Sequence, residues 1–145
     1  MPEAPSITPA PAVDGWFTTG ADPHLIGVRC PACGTYAFPP EIFSCPNPRC
    51  GSSDLERVAL SRRGRVWSFS VNHYAAPPPA LSPEPFEPYA VAAVELPEER
   101  IVVLGRVADG VALDELQIGS EMEIVVEPII PGADELVWKW KPVGA

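Results

Sequence analysis

Residues 30–50 read CPACGTYAFPPEIFSCPNPRC and hold every cysteine of a 145-residue chain. The spacing is Cys-x2-Cys, eleven residues, then Cys-x4-Cys, with Gly34 and Gly51 directly after each pair. A Cys-x2-Cys turn aims backbone N–H groups at its first sulfur while both thiolates converge on one ion, and the glycine that follows accepts the positive φ the turn demands. Two such knuckles on facing loops make a tetrahedral site. Cys30, Cys33, Cys45 and Cys50 are therefore expected to hold one metal ion per chain, zinc by default. A closed four-sulfur sphere leaves no position for water, so it staples a fold and activates no substrate. A rubredoxin-like pair of knuckles also accepts iron, which would imply electron transfer. CPNPRC, however, is longer than a rubredoxin turn.

The remainder of the chain is consistent with a folded domain. Apolar residues make up 46% of it and charged residues 20%, enough hydrophobic material to offset chain ordering. The 20 prolines limit helix and favour long loops and short strands. A net charge of −9 disfavours phosphate neutralisation as the main task, so no nucleic-acid partner is expected. The N-terminus MPEAPSITPAPAVDG lacks a cationic region followed by an apolar core, and no segment approaches the ~18 apolar residues of a bilayer span. No membrane partner and a cytoplasmic location follow as expectations. In that reducing compartment four cysteines are metal ligands or redox thiols before they are disulfides.

Strand patterns dominate after the cysteines. GRVWSFSVNHYA, 64–75, alternates, with Trp67, Phe69, Val71 and His73 on one face and Val66, Ser68, Ser70 and Asn72 on the other. YAVAAVEL, 89–96, and IVVLGRV, 101–107, flank the hairpin connection PEER. DGVALDELQIGSEM offers at most one helical turn, with Leu113, Leu116 and Ile118 placed to plug an opening. EIVVEPI, 123–129, and LVWKWKPV, 136–143, complete five strands. That order is the order of a small Greek-key barrel of the OB type, with a sandwich as the alternative. The fold class is thus mainly β, an N-terminal rubredoxin-like zinc ribbon followed by a five-stranded OB-fold barrel. Residues 1–15 are assigned to a flexible Pro-rich arm, 16–60 to the ribbon and 61–145 to the barrel. The segment 75–88 carries six prolines and is too long and stiff for a tight turn, which marks it as a loop that covers or binds something.

Catalytic candidates are few. The sequence has no GxSxG and no phosphate-cradling glycine loop, and its two histidines, His24 and His73, lie far apart along the chain. Arg62, Arg63 and Arg65 form a local basic cluster beside Trp67, either an anion grip or a solubilising turn. Trp138 and Trp140 share a face and are read as core or interface.

The ribbon pieces RCPACG, FPP and CGS, followed by GRVWSF, YAVAAVEL, LGRV and VWKWKP, resemble the acyl-CoA-associated family that joins a zinc ribbon to an OB-fold, once filed as domain of unknown function thirty-five. The likeness spans residues 16–142. It implies an accessory, non-catalytic subunit beside a thiolase-like enzyme, in a heterotetramer that acts as an acyltransferase (thiolase) or a lyase (aldolase). It also implies that the complex binds a CoA thioester, whose channel the small subunit helps form. Within that implication Arg62, Arg63 and Arg65 would meet CoA or another anion, and Phe86, Tyr89, Trp138 and Trp140 would face the partner. The alternatives are a nucleic-acid-binding zinc-ribbon OB module and an iron electron carrier.

Overall fold

The computed structural model describes residues 9–78 and 82–144. Its strands are β1 (Ala10–Pro11), β2 (Ile26–Arg29), β3 (Tyr36–Ala37), β4 (Glu56–Ala59), β5 (Arg63–Asn72), β6 (Tyr89–Leu96), β7 (Ile101–Val107), β8 (Glu121–Pro128) and β9 (Glu135–Pro142). The only helical element among the described residues is a 3₁₀ turn, Leu113–Glu115. β3, β2 and β4 form a small antiparallel sheet that carries the cysteine loops. The other sheet runs β9-β7-β6-β5-β8 and closes through β8–β9 pairing, with β7 and β9 parallel and every other barrel pair antiparallel. This is the five-stranded OB barrel that the strand order predicts.

The barrel closes around one apolar interior. Val66, Ala92, Val94, Leu96, Val103, Met122, Ile124 and Trp140 are all buried within it. β6 shows the period-two logic most clearly, because Ala90, Ala92, Val94 and Leu96 all point inward. β5 departs from its simple alternation. A bulge between Val66 and Ser68 shifts the register, so that Val66 pairs with Val94 but Phe69 pairs with Ala92 and Val71 with Ala90. Residues paired directly across strands share a face, so Val66, Phe69 and Val71 lie on one face, where Val66 is buried, Val71 packs against the core and Phe69 remains 37% exposed. Trp67 sits on the bulge and looks out, 62% exposed, instead of sharing a face with Phe69.

The seam of the barrel lies between β7 and β9. Their pairing covers only Arg106–Val107 against Lys139–Trp140, which leaves the first half of β7 without a β9 partner. An indole fills the gap: Trp138 Nε1 donates to the Leu104 carbonyl at 2.9 Å. Trp16, Phe17 and Phe38 pack on Trp138 with ring centroids 5.5–6.2 Å away. Gly105 is required here. A Cβ at that position would stand 2.8 Å from Trp140 Nε1 and 2.9 Å from Trp138 Nε1, closer than side chains tolerate.

Of the two tryptophans expected to face a partner, Trp140 is corrected, because it is fully buried in the barrel, whereas Trp138 is partly exposed. Trp138 joins the ribbon to the barrel within the chain. Leu116 alone of the three apolar residues in the β7–β8 connection plugs the barrel; Leu113 and Ile118 are exposed. The Pro-rich arm is not wholly free, because Ala10 and Pro11 pair in parallel with Glu135 and Leu136. Residues 1–8 of the arm lie outside the described residues.

Two polar devices lock the ends of the barrel. Ser61, at the joint between ribbon and barrel, donates its N–H (2.9 Å) and its hydroxyl (2.6 Å) to Oε1 of buried Glu99 in the β6–β7 turn. Lys139 is 1% exposed and its Nζ lies 3.1 Å from Asp109 and 3.4 Å from Glu127. A buried ammonium is tolerated only with such partners, since an unpaired charge there costs several kcal/mol.

Candidate functional site

The cysteine loops extend from the three-stranded sheet. Cys30 follows β2 directly and Cys33 lies just before β3, so the first knuckle is a hairpin turn. The Gly34 N–H donates to the Cys30 carbonyl at 2.7 Å, and Gly34 takes φ +80° as the knuckle geometry requires. In the second knuckle the Cys50 N–H donates to the Asn47 carbonyl at 3.0 Å, and the Asn47 N–H points at Cys45 Sγ from 3.4 Å. Gly51 takes φ +64°. The longer Cys-x4-Cys loop thus reaches the same end as a shorter one.

The four sulfurs lie within 4.8 Å of one another, with Cys30 and Cys50 Sγ 3.7 Å apart and Cys33 and Cys45 Sγ 3.5 Å apart. Sulfurs ~2.3 Å from a tetrahedral zinc stand ~3.8 Å from each other, so the donor set fits a metal of that size and softness. Cys30 and Cys45 are buried while Cys33 is exposed. Hydrogen bonds from the Thr35 hydroxyl and then its backbone hold the Cys33 thiol down at about 6. Burial pushes the Cys45 thiol up to about 12. Cys50 is also raised: the Ser52 backbone pulls it down, but the Cys30 sulfur and burial outweigh that pull.

The arginine cluster is dispersed. Arg62 Nε donates to the Pro23 carbonyl at 2.8 Å and its guanidinium lies 3.7 Å from Asp22, while Arg63 lies 3.5 Å from Glu123. Arg65 has no ion-pair partner within reach among the described residues. All three arginines line a cleft of about 480 Å³ with Ser61, Pro97 and Glu98. The His24 backbone N–H donates to Thr18 Oγ1 at 3.0 Å and its ring Nδ1 lies 3.4 Å from the same hydroxyl, while His73 is exposed beyond the end of β5.

The outer face of β5–β6–β7 carries what the sequence reading missed. Trp67 (62%), Leu104 (62%) and Val102 (42%) are exposed there. Ser68 pairs with Ala93 and Ala93 with Leu104, which puts a small residue between the two large ones. Farther along the face, Asn72 Nδ2 donates to the Tyr89 hydroxyl at 3.0 Å and the Arg106 guanidinium lies 3.9 Å over the Tyr89 ring. Phe86 packs edge-on to Tyr89 at 6.4 Å, so these two aromatics do meet. The bulge, which takes Phe69 off the face that Trp67 occupies, has no local mark in GRVWSF, which reads as regular alternation. In the ribbon, Phe43 stands 97% exposed.

Family models match the two halves in turn. Residues 19–56 match "ChsH2, rubredoxin-like zinc ribbon domain" and residues 57–127 match "ChsH2, C-terminal OB-fold domain". A DUF35 domain-containing scaffold protein of Methanocaldococcus jannaschii is 36% identical over 126 residues, covering 82% of each chain. The chain belongs to the DUF35 family. The benzoylsuccinyl-CoA thiolase subunit BbsA of Geobacter metallireducens is 36% identical over 81% of this chain and 71% of that one. A probable enoyl-CoA hydratase alpha subunit of Thermomonospora curvata is 36% identical over 84% of this chain, which spans only 36% of that longer protein. Among solved structures, a chain of the Ltp2-ChsH2(DUF35) aldolase superposes with TM-score 0.63 at 30% identity, over 82% of this DUF35 chain and 84% of that one. The likeness covers ribbon and barrel together.

Proposed function

We propose that this chain is a non-catalytic accessory subunit of a thiolase-superfamily enzyme, of thiolase or aldolase type, acting on acyl-CoA thioesters. The observation that carries the reading is full-length likeness: ribbon and barrel together match a scaffold protein and a chain of an aldolase, each over more than four-fifths of both partners. The chemistry of the chain agrees. Among the described residues its one cluster of soft ligands forms a closed sphere, and the His24 ring meets the Thr18 hydroxyl at 3.4 Å.

In this reading one zinc per chain occupies the four-cysteine site and stiffens the ribbon. The ribbon's Phe38 then packs on Trp138 at the barrel seam, so the metal supports the barrel as well as the loops. The subunit joins a partner dimer as a heterotetramer, stabilises it and borders the route taken by CoA. The cleft beside Arg62, Arg63 and Arg65 is where a CoA phosphate would meet this chain. Arg65 is free to bind it directly, whereas Arg62 and Arg63 would first exchange Asp22 and Glu123.

Purification from the source organism tests the reading. A thiolase-type subunit is expected to accompany the chain, and deletion of the chain is expected to lower that enzyme's turnover. Recovery of free chain alone, with unchanged turnover after deletion, would defeat it.

A further inference from the structure

Exposed aromatic and aliphatic side chains are unremarkable one at a time, but a contiguous group on a rigid sheet marks an interaction surface. The outer face of β5–β6–β7 carries such a group. Its middle row is Ser68, Ala93 and Leu104, and the row on one side is Arg65, Glu95 and Val102. The row on the other side is Ser70, Val91 and Arg106. Trp67 projects from the bulge between the first two rows. The bulge between Val66 and Ser68 leaves Trp67 62% exposed beside buried Val66, and Phe69 is itself 37% exposed.

Charge narrows the occupant. With Glu121 of β8, which pairs with Arg65 across the strands, the rows contain two arginines and two glutamates, a local net of zero on a chain whose total is −9. Arg65 and Arg106 have no carboxylate within ion-pair distance among the described residues. A second copy would bring another −9 against this one, and two arginines around an apolar centre are too few for nucleic acid. The complementary surface is a protein with an apolar centre and a carboxylate at its rim. We infer that this face is the docking surface for the enzyme subunit, with Trp67 and Leu104 as anchors and Arg106 as a flanking ion-pair donor. The inference rests on the accessory-subunit reading and adds to it the face and the anchoring residues.

The test uses the full chain with the thiolase-type subunit from the same genome. Wild-type affinity is compared with Trp67→Glu, Leu104→Glu and, on the arm beside β9 and away from this face, Val13→Glu. Truncated interface anchors typically cost 2 kcal/mol or more, so the first two changes are expected to weaken binding about 30-fold or more. Val13→Glu is expected to stay within about threefold of wild type. Metal content and near-ultraviolet circular dichroism of each free variant report its fold. Should the face variants misfold, hydroxyl-radical labelling of wild type decides instead. Trp67 and Leu104 are expected to lose label in the complex, and unchanged labelling overturns the assignment. Folded variants that bind as tightly as wild type also overturn it, while leaving the accessory role intact. A wild-type chain that binds no thiolase-type subunit removes the accessory reading and this face with it.

Discussion

Trp138 Nε1 donates to the Leu104 carbonyl at 2.9 Å, across the stretch of the barrel where β7 and β9 are not paired. The indole stands in for a missing strand contact on one side. On its other side it receives Phe38 from the ribbon and Trp16 and Phe17 from the lead-in. One side chain thus closes the seam and couples the metal-bearing ribbon to it.

Trp138→Phe keeps most of that packing and removes the hydrogen bond. It is expected to cost about 1 kcal/mol, against about 3–5 kcal/mol for Trp138→Ala, which opens a cavity as well. Urea unfolding of the two variants separates the contributions. Equal losses would show that the hydrogen bond, not the ring, closes the seam.

Gly105→Ala places a methyl group between two indoles, 2.8 Å from one Nε1 and 2.9 Å from the other. Overpacking of this kind is expected to destabilise the chain by about 1–3 kcal/mol. A midpoint unchanged from wild type would mean that the seam is looser than its packing indicates.

Metal uptake is expected to release protons. At pH 7.5 Cys33, held at about 6, is already a thiolate, while Cys45 at about 12 and the raised Cys50 are still thiols. At least two protons must leave per ion bound, so affinity should rise about 100-fold or more per pH unit near neutrality. Below about pH 6 Cys33 is protonated too, and the dependence steepens. Zinc competition against a chelating dye at several pH values measures the slope. A flat profile would contradict a four-thiolate site.

Chelation of the metal, or Cys45→Ser, is expected to reach the barrel through Phe38. Tryptophan emission should shift to longer wavelength as Trp16 and Trp138 lose their cover, and partner binding should fall in step. An unshifted spectrum after verified metal removal would show that ribbon and barrel are independent.

Much of this architecture was legible in the sequence because it is local. The cysteine spacing alone identifies four ligands, and the continuous apolar runs of β6 and β7 set their bounds to the residue. What escaped depends on distant residues. The bulge between Val66 and Ser68 moves Phe69 onto the face of Val66, so the alternation in GRVWSF wrongly grouped Trp67 with Phe69. In VWKWK the pattern shows Trp138 and Trp140 on one face but cannot show that ribbon residues from positions 16, 17 and 38 cover Trp138. Phe17 and Leu25 form an isolated antiparallel bridge, a pairing that the sequence does not mark. Arg62 and Arg63, adjacent in sequence, turn to different elements because neighbouring residues in a strand point to opposite faces.

The most direct measurement is thioester turnover by three preparations: this chain alone, the thiolase-type subunit alone, and the two together. The account predicts no turnover by the chain, weak or short-lived turnover by the partner, and full, sustained turnover only in the mixture. Turnover by this chain in isolation, or a partner equally active and durable without it, would contradict the account.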